Sequence, residues 1–537
     1  MFLRFPRLAF VLPCLVLLAC SAVRCSGESQ HAAGPKKPKP DLRLLVLTDP
    51  KGYLEPCGCQ LRPLGGVDKL ATLVKGARAD QVPTLLVAAG DLTFGTEVSP
   101  EDMASAANQE TWRAETLVDV WSGIGLAAVS PGKLDLAQPP ARLKPLLEKS
   151  KFPWLVDNLA DGANPFGSQR ARVLDVGGVK VGVLGLVAPD PALRLPDGAA
   201  LQEALADVAK SQAEALRAQG ARVVVALLSG DRRAARSLAG KGVDVVVMGG
   251  LDQELPLPPA VHDGTIAVHA GRQGQRLVQL DLELDGQGEP HDEGGWARSE
   301  AQRDLRTKAQ ELGAKLKAWE HDKSVAKQDL EVQRARLAEL ERELSNAPAP
   351  SYEGRWFTAE VQELVPEVTG DGAIAAQLDA YDRRVNDHNR VALADRKPLP
   401  APEGSAHYAG SDSCRTCHES AYTWWRKTKH GNAYATLEKV HKEFNLSCVG
   451  CHVTGYNEPG GSTVTHVQNL KDVGCETCHG PGSLHNAEPD KPNLVARDTP
   501  EKVCVSCHTH EHSDRFVYDA FKTLIVVPGH GLPTKSP

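Results

Sequence analysis

The chain has 537 residues, more than one typical domain holds, so two or three domains are expected. Its 61 Lys and Arg residues against 68 Asp and Glu residues give a formal charge of −7, which argues against a nucleic-acid partner because such partners require a basic face. The 13 cysteines are clustered, since none lies between residues 60 and 413 and eight follow. This clustering indicates dedicated cysteine sites and not a disulfide scaffold.

The N-terminus has the pattern of an export signal. Residues 1–19 combine Arg4 and Arg7 with an apolar run over residues 8–19 that is too short for a permanent membrane span. No later segment has 18 consecutive apolar residues. The sequence therefore predicts a signal peptide and an exported protein of the periplasm or cell envelope.

The end of this signal resembles the lipobox of bacterial lipoproteins. The letters LLAC end at Cys20, whose thiol would carry the lipid and anchor the protein to the outer membrane. The alternative is an ordinary signal peptide cut near Ala22, with Cys20 lost. Residues 20–41 are polar and contain Pro, Gly and Lys, which is typical of a flexible tether.

Residues 42–290 alternate apolar, strand-like segments with amphipathic helical ones. This alternation predicts an α/β layered domain. A long helix is expected near residues 101–122. The strand-like segments read LRLLVL, TLLVAAGD, AAVSPG, WLVDN, KVGVLGLVA, RVVVALLSG, DVVVMGG, TIAVHAG and RLVQLDLEL.

The strand order and the residues at the strand ends resemble the calcineurin-like metallophosphoesterase domain of periplasmic 5′-nucleotidases. That family binds two metal ions through Asp-x-His, Gly-Asp, Gly-Asn-His, a further His and Gly-His-x-His. Only Asp49 and Asp91 match these ligands, and two carboxylates cannot complete the coordination of two divalent ions. We therefore expect a degenerate domain that serves binding or architecture and does not hydrolyse nucleotides. The corresponding positions read Asp49-Pro-Lys51, Gly90-Asp91, Gly132-Lys133-Leu134, Ser229 and Gly249-Gly250-Leu251.

The loop after the first strand is a candidate second site. Lys51 either replaces the charge of a metal ion between Asp49 and Asp91 or is a solvated lysine. Cys57 and Cys59 follow, at the sheet edge where α/β proteins bind ligands. The two thiols are interpreted as a small strained disulfide, a soft-metal site or a thiol-exchange pair, with an incidental structural disulfide as the alternative.

Residues 297–346 carry apolar residues in one heptad register, and this pattern predicts a continuous coiled-coil helix of about 40 residues. The helix would pair with another chain, giving a homodimer, or fold back on itself near Lys323. Residues 351–396 are predicted to form a helical connector, with helices at about 357–366 and 371–395. The heptad positions are 305, 309, 312, 316, 319, 323, 326, 330, 333, 337, 340 and 344.

The region 406–537 contains four Cys-x-x-Cys-His segments, which use all eight cysteines after residue 60. Two thiols three positions apart can form thioethers with the two vinyl groups of haem while the adjacent imidazole binds the iron. Zinc knuckles and disulfides are the alternatives, but four complete motifs favour four covalently bound haem c groups in a mainly α, haem-packed domain. The attachment cysteines are Cys414, Cys417, Cys448, Cys451, Cys475, Cys478, Cys504 and Cys507, and the proximal histidines are His418, His452, His479 and His508.

Histidine is the expected second axial ligand of these haems. The methionines, Met1, Met103 and Met248, all lie outside the haem region, so His/Met ligation is implausible and low potentials are expected. Eight histidines outside the motifs are available from residue 407 onward. They are His407, His430, His441, His466, His485, His510, His512 and His530.

The segments YAGSDSCRTCH, KTKHGNA, CVGCHVTGY and GCETCHGPGSLH within residues 408–508 resemble the tetrahaem cytochrome family typified by cytochrome c-554. The resemblance implies that His430 is the distal ligand of the third haem and that His485 serves the fourth. It also implies that the first haem takes a histidine near the C-terminus, best matched by His530, with His510 and His512 as alternatives. Family haems stack in close pairs, which suits rapid electron hopping.

The same resemblance implies that the second haem, at His452, lacks a strong distal ligand. His441 and His466 nevertheless flank its motif, and His466 is the one that could return to the distal face. An open iron position would permit small ligands to bind without establishing turnover.

Electron transfer is therefore the first function expected of the chain. The alternatives are a multihaem oxidoreductase acting on a small nitrogen or sulfur species at an open haem and, with less support, a metal-dependent phosphoesterase. Redox proteins are the expected partners. A basic docking patch on such a partner is plausible because haem propionates add negative charge to a region with nearly balanced side chains.

Overall fold

The structure is a computed structural model that describes residues 37–56, 62–95, 103–160, 164–191, 193, 195, 199–294, 296–320, 325–345, 351–509, 512–513 and 515–525. The predicted signal peptide, Cys20, Cys57, Cys59, His510 and His530 lie outside these residues. Within them, no helix is both long enough and apolar enough to cross a membrane.

Two six-stranded sheets form the centre of the N-terminal domain. The described strands are β1 (Leu42–Thr48), β2 (Thr84–Gly90), β3 (Leu126–Pro131), β4 (Arg172–Val176), β5 (Val179–Val187), β6 (Val223–Ser229), β7 (Val245–Gly249), β8 (Leu257–His262), β9 (Thr265–His269), β10 (Arg276–Leu282), β11 (His291–Asp292) and β12 (Trp356–Glu363). The first sheet has the order β11-β12-β10-β1-β2-β3 and the second the order β4-β5-β6-β7-β9-β8.

Strand β1 shows why these segments are apolar without alternation. Its side chains Leu42 and Val46 are buried between the two sheets, whereas Leu45 and Leu47 are buried among the helices on the outer face. A strand covered on both faces requires an almost continuous apolar run. Its parallel neighbour β2 repeats the pattern, so both strands end at the same edge and bring Asp49 close to Asp91.

The N-terminal domain also contains helices. They are α1 (Val67–Ala77), α2 (Met103–Gly123), α3 (Lys133–Leu136), α4 (Pro140–Lys149), α5 (Leu205–Ala218), α6 (Arg232–Ser237), α7 (Trp296–Glu320), α8 (Lys327–Ser345) and α9 (Gly372–Ala392). Residues of α1, α2, α4 and α9 pack on the first sheet, and residues of α5 and α6 pack on the second. The predicted α/β layered domain is thus a helix–sheet–sheet–helix stack.

The predicted helical connector, residues 351–396, is half wrong. Its first predicted helix is strand β12, which pairs with β10 over Arg276–Leu282. Its second is α9, which packs on α1 and α2 and contributes Ile374, Leu378 and Val385 to the core. The α/β domain therefore does not end near residue 290. It closes only when the chain returns to the first sheet after residue 350.

The predicted continuous helix over residues 297–346 is also wrong. The structure has two helices, α7 and α8, which pack against each other as a helical hairpin. The most buried positions of the heptad register are Leu316 and Leu340, one on each helix. The apolar seam is therefore covered within one chain, by the fold-back that was the second alternative.

The C-terminal region contains short helices joined by turns. The described helices are α10 (Ser411–Cys414), α11 (Glu419–Trp425), α12 (Ala433–Glu438), α13 (Val449–His452), α14 (Cys475–His479), α15 (Ser483–Ala487), α16 (Glu501–Val505) and α17 (Tyr518–Ile525). Helices of this length are unstable alone. The one apolar cluster among the described residues here has five buried members, Tyr434, Val449, Val453, Val464 and Val467.

Candidate functional sites

Each Cys-x-x-Cys-His motif lies on or next to a helical turn. The amide of His418 donates to the carbonyl of Cys414 at 2.9 Å, and that of His508 donates to Cys504 at 2.8 Å. A helical turn puts residues three and four positions apart on one side of the backbone. The two thiols and the imidazole of a motif are thereby directed to the same side, as covalent attachment and ligation of one haem require.

Two proximal imidazoles are held in the tautomer that binds iron. Nδ1 of His452 is 2.7 Å from the carbonyl oxygen of Ala433, and Nδ1 of His479 is 2.6 Å from that of Ala496. Because a carbonyl only accepts, Nδ1 carries the proton and Nε2 presents its lone pair to a metal. The chemistry of the donor set thus fits haem c.

Two further histidines face proximal histidines at the separation that an iron atom would bridge. The ring centres of His418 and His485 are 6.4 Å apart, and those of His430 and His508 are 6.1 Å apart. With metal–nitrogen bonds of about 2 Å, two imidazoles on one iron have ring centres about 6 Å apart. Burial, followed by the neighbouring His508, lowers the pKa of His430, which favours the neutral, ligating form.

These pairs correct the haem assignments that the resemblance implied. His430 faces the histidine of the fourth motif and not that of the third. His485 faces the histidine of the first motif and not that of the fourth. Both remain candidate distal ligands, but on other haems. Sequence spacing did not reveal this, because the turns of the region decide which motif each histidine approaches.

Thiols of different motifs lie next to each other. A hydrogen bond with Cys414 lowers the pKa of Cys475 to about 6 and raises that of Cys414. A hydrogen bond with Cys451 likewise lowers the pKa of Cys507 to about 6. Burial, with Cys504 as the next contribution, raises the pKa of Cys478 to about 11. The first motif therefore adjoins the third, the second adjoins the fourth, and the fourth acts electrostatically on the third.

The second motif differs from the first and fourth on its distal side. No described histidine ring faces His452 as His485 faces His418. His466 lies against the hydroxyl groups of Thr463 and Thr465, 3.5 and 3.0 Å from its Nδ1. His441 has a φ of 56° and acts electrostatically on Asp379 of α9.

In the α/β domain, the two retained carboxylates meet at the ends of β1 and β2. Oδ1 of Asp49 accepts a hydrogen bond from the amide of Asp91 at 3.1 Å, and Oδ1 of Asp91 accepts one from the amide of Leu134 at 2.8 Å. Asp49 and Lys51 both have left-handed backbone angles, φ 46° and 52°. Lys51 is half-buried, and its charge counteracts the rise in the pKa of both carboxylates.

Burial raises the pKa of Asp49 to about 7 and that of Asp91 to about 7. For Asp91, the neighbouring Asp135 and Asp49 carboxylates add to the increase. Asp135 was missed by the sequence analysis, although it directly follows Leu134 of the degenerate motif. It is fully buried and accepts hydrogen bonds from the amides of Leu92, Thr93 and Phe94 at 2.7, 3.0 and 3.2 Å.

Backbone amides bind the two carboxylates directly. The amide of Gly250 donates to both carboxylate oxygens of Asp49, at 2.8 and 3.0 Å. A Cβ atom at Gly90 would lie 2.0 Å from Oδ1 of Asp49, so the chain passes too closely for any side chain there. Among the described residues, the one group of three potential ligands close enough to share an ion is Asp41, Glu283 and Asp285, before β1 and after β10. The strand-end residues therefore do not fit a two-metal centre.

The comparisons with known proteins divide the chain in the same way. The family described as cytochrome c554 and c-prime matches residues 413–480, which include the first three motifs. Cytochrome c-554 of Nitrosomonas europaea is 36% identical over 93 residues, which cover 14% of this chain and 40% of that protein. The chain thus spans less than half of this relative, and the C-terminal region resembles a multihaem c-type cytochrome.

The α/β domain is similar to phosphoesterases of known structure. The 5′-nucleotidase precursor of Thermus thermophilus has a TM-score of 0.45 and 18% identity, with 67% of this chain and 60% of that chain covered. A calcineurin-like phosphoesterase of Bacillus subtilis has a TM-score of 0.38 and 22% identity, with 46% and 85% covered. The chemistry of this domain is decided by its own side chains.

Proposed function

We propose that the chain is an exported c-type cytochrome that transfers electrons through four low-potential haems. The observation that carries this proposal is the arrangement of the four Cys-x-x-Cys-His motifs, two of whose histidines face a second histidine at an iron-bridging distance. Bound haem c would supply one-electron chemistry. The residues of the chain attach the haems, ligate them and fix their spacing.

The axial ligands are proposed from these pairs. His418 with His485 would hold the first haem, and His430 with His508 would hold the fourth. Bis-histidine ligation without methionine favours low potentials. His479 would be the proximal ligand of the third haem. With His485 assigned to the first haem, His530 becomes available to the third.

The interactions between thiols support an order of the haems in space. Hydrogen bonds join Cys414 to Cys475, in the first and third motifs, and Cys451 to Cys507, in the second and fourth. An electrostatic effect of Cys504 on Cys478 relates the third motif to the fourth. The proposed path for electrons therefore runs first–third–fourth–second. The second haem would be one terminus of this path.

A second candidate function is an oxidoreductase that acts on a small nitrogen or sulfur species at the second haem. It is favoured by His452, which has no facing imidazole among the described residues. Five-coordinate iron could bind a small ligand there. Phosphoester hydrolysis is disfavoured, because the carboxylates of Asp49 and Asp91 are hydrogen-bonded by backbone amides and the histidine ligands are missing.

The cellular context is proposed from the sequence. A lipid on Cys20 would hold the protein at the envelope membrane, with the tether over residues 20–41 carrying the folded part. Redox proteins would be its partners. Covalent haem is consistent with this location, because attachment through thioethers follows export of the chain.

Two measurements on the holoprotein test the proposal. The mass of the matured chain should exceed that of the polypeptide by four haems, and the pyridine haemochrome should be of the c type. Electron paramagnetic resonance of the oxidised protein should show low-spin signals and one high-spin signal. Two haems or fewer would contradict the proposal. Four low-spin haems that do not respond to nitric oxide would leave an electron carrier and remove the oxidoreductase alternative.

A further inference from the structure

The six residues before Cys448 form what we call the lead segment, residues 442–447. They belong to the haem region by sequence, yet hydrogen bonds and ion pairs fix them on α2, α9 and the loop after β1. Lys442 pairs with Glu55 and, at 3.3 Å, with Asp382. The lead segment is therefore held by the α/β domain up to the residue where the second haem would attach.

Gln109 of α2 is the centre of this contact. Its Nε2 donates to Oδ1 of Asn445 at 2.9 Å and to Oγ of Ser447 at 3.2 Å, while its Oε1 accepts from the amide of Leu446 at 3.2 Å. Gln109 is 4% exposed and Asn445 is 7% exposed. One buried side chain thus binds three consecutive residues, and each bond lost would leave a buried polar group without a partner.

Asn445 transmits this contact to the second motif. Its carbonyl oxygen accepts hydrogen bonds from the amides of Cys448 and Val449, both at 3.0 Å, and thereby starts the turn that carries Cys451 and His452. Its side chain also accepts from the amide of Ser447 at 2.9 Å. The orientation of the turn therefore depends on Asn445, whose side chain is held from α2.

Helix α9 holds the other half of the lead segment. Oδ1 of Asn386 accepts from the amide of Phe444 at 2.9 Å, and Nδ2 of Asn389 donates to its carbonyl at 2.9 Å. Nδ2 of Asn386 also donates to Glu443 at 3.0 Å. Buried amides of two helices therefore fix both the side chains and the backbone of this segment.

This attachment distinguishes the second motif from the first and the third. Before the first motif, the amides of Ala409 and Gly410 donate to Glu476, and before the third the amide of Val473 donates to His430, all within the haem region. After the second motif, the hydroxyl groups of Thr463 and Thr465 donate to the carbonyls of Arg396 and Leu393, which follow the C-terminus of α9. The second motif is thus bound to the α/β domain on both sides.

We propose that Gln109 is a positioning residue for the second haem, and that holding this haem through the lead segment is the role of the α/β domain. The proposal deepens the proposed function and rests on haem attachment at residues 448–452. It explains why a domain whose strand-end residues do not fit two metals is retained beside a cytochrome. It also separates the second haem from the first and third, whose preceding residues form the hydrogen bonds named above within the haem region.

The test is Gln109→Leu in the full holoprotein, with Asn108→Leu as its matched control. Asn108 is the preceding residue of α2 and is exposed. In the Gln109 variant, we expect a shift and broadening of the high-spin signal, a shift in the midpoint potential of that haem alone, and exchange of the Leu446 amide about tenfold faster. Asn108→Leu should leave all three quantities at their wild-type values.

Asn445→Leu tests the same contact from the other side. Because both variants remove the bond between Gln109 and Asn445, the double variant should shift the potential less than the sum of the two single shifts. Unchanged low-spin signals show that a variant has folded. If Gln109→Leu does not mature, the smaller change Asn386→Ala should shift the same haem, and its failure to do so would contradict the proposal.

The outcome for this inference is separable from that for the proposed function. A wild-type protein with four low-spin haems would remove the open site, and the second haem would then be identified by its loss in the Cys448→Ala, Cys451→Ala variant. A shift confined to that haem in Gln109→Leu would still support the positioning role. Equal shifts of all four haems, or none, would overturn it while leaving four-haem electron transfer intact.

Discussion

The α/β domain and the haem region have very different apolar cores. Among the described residues, the α/β domain has three clusters with 35, 25 and 15 buried apolar residues, whereas the haem region has one cluster of five. Burial of apolar surface is the main favourable term in folding. The α/β domain can therefore fold from its own side chains, and the haem region must obtain most of its core from the haems.

The polar side chains of the two regions also differ, and here the haem region is the more complete. In the haem region, the chemically important side chains keep a full motif, and His452 and His479 are already hydrogen-bonded as iron ligands require. In the α/β domain, backbone amides hold the carboxylates of Asp49 and Asp91. The α/β fold thus rests on apolar burial, whereas the haem region is organised around its Cys-x-x-Cys-His motifs.

The largest effect is expected from removing haem. In full-length protein produced without haem attachment, the described part of residues 406–525 should lose its slow hydrogen exchange, because its eight buried apolar residues cannot offset the chain entropy of so long a region. The α/β domain should keep its protection. Hydrogen exchange followed by mass spectrometry checks this, with the holoprotein as control. Cooperative unfolding of a protected haem-free C-terminal region would contradict it.

An intermediate effect is expected from Asp91→Asn. Burial and the nearby carboxylates raise the pKa of Asp91 to about 7, whereas an aspartate in an unfolded chain titrates near pH 4. A raised carboxyl pKa favours the folded state fully below about pH 4, and this contribution is lost as the pH rises through about 7. Asparagine keeps the oxygen that accepts from Leu134 but carries no charge. The variant should therefore be more stable by about 1–3 kcal/mol at pH 8 and nearly equal at pH 4.

Urea unfolding of the α/β domain at pH 5 and pH 8 measures this difference. The control is Asp207→Asn, because Asp207 is an exposed side chain of α5. The gain from Asp91→Asn should grow with pH, and the control should show no such trend. A variant that is less stable at pH 8 would mean that the charge of Asp91 is stabilised in the folded protein, for instance by a bound cation.

The sequence revealed the parts of this molecule that local rules determine. The Cys-x-x-Cys-His spacing is set by haem chemistry, and the apolar runs of β1 and β2 are required by burial on both faces. The α/β class could therefore be predicted. The similarity of residues 413–480 to cytochrome c554 agrees with the motif.

Long-range contacts account for what the sequence did not reveal. β12 was predicted to be helical, but its pairing with β10 and β11 makes it a strand. The heptad pattern of residues 297–346 is the same for one long helix and for a hairpin, so it could not distinguish them. Three further contacts join residues that are far apart in sequence. They are the ring pairs His430–His508 and His418–His485 and the hydrogen bond from Gln109 to Asn445.

The smallest effect is expected from adding divalent metal. A domain with a working two-metal site gains about 2.7 kcal/mol when the free ion is at 100 times its dissociation constant. Here Asp49 and Asp91 already accept backbone hydrogen bonds, and the charge of Lys51 acts on both, so millimolar Mn²⁺ should leave the urea midpoint of the α/β domain unchanged. It should also produce no hydrolysis of nucleotides. A metal-dependent rise in stability that disappears in Asp91→Asn would show that the site still binds an ion, and hydrolysis abolished by the same change would show that the domain has kept its chemistry.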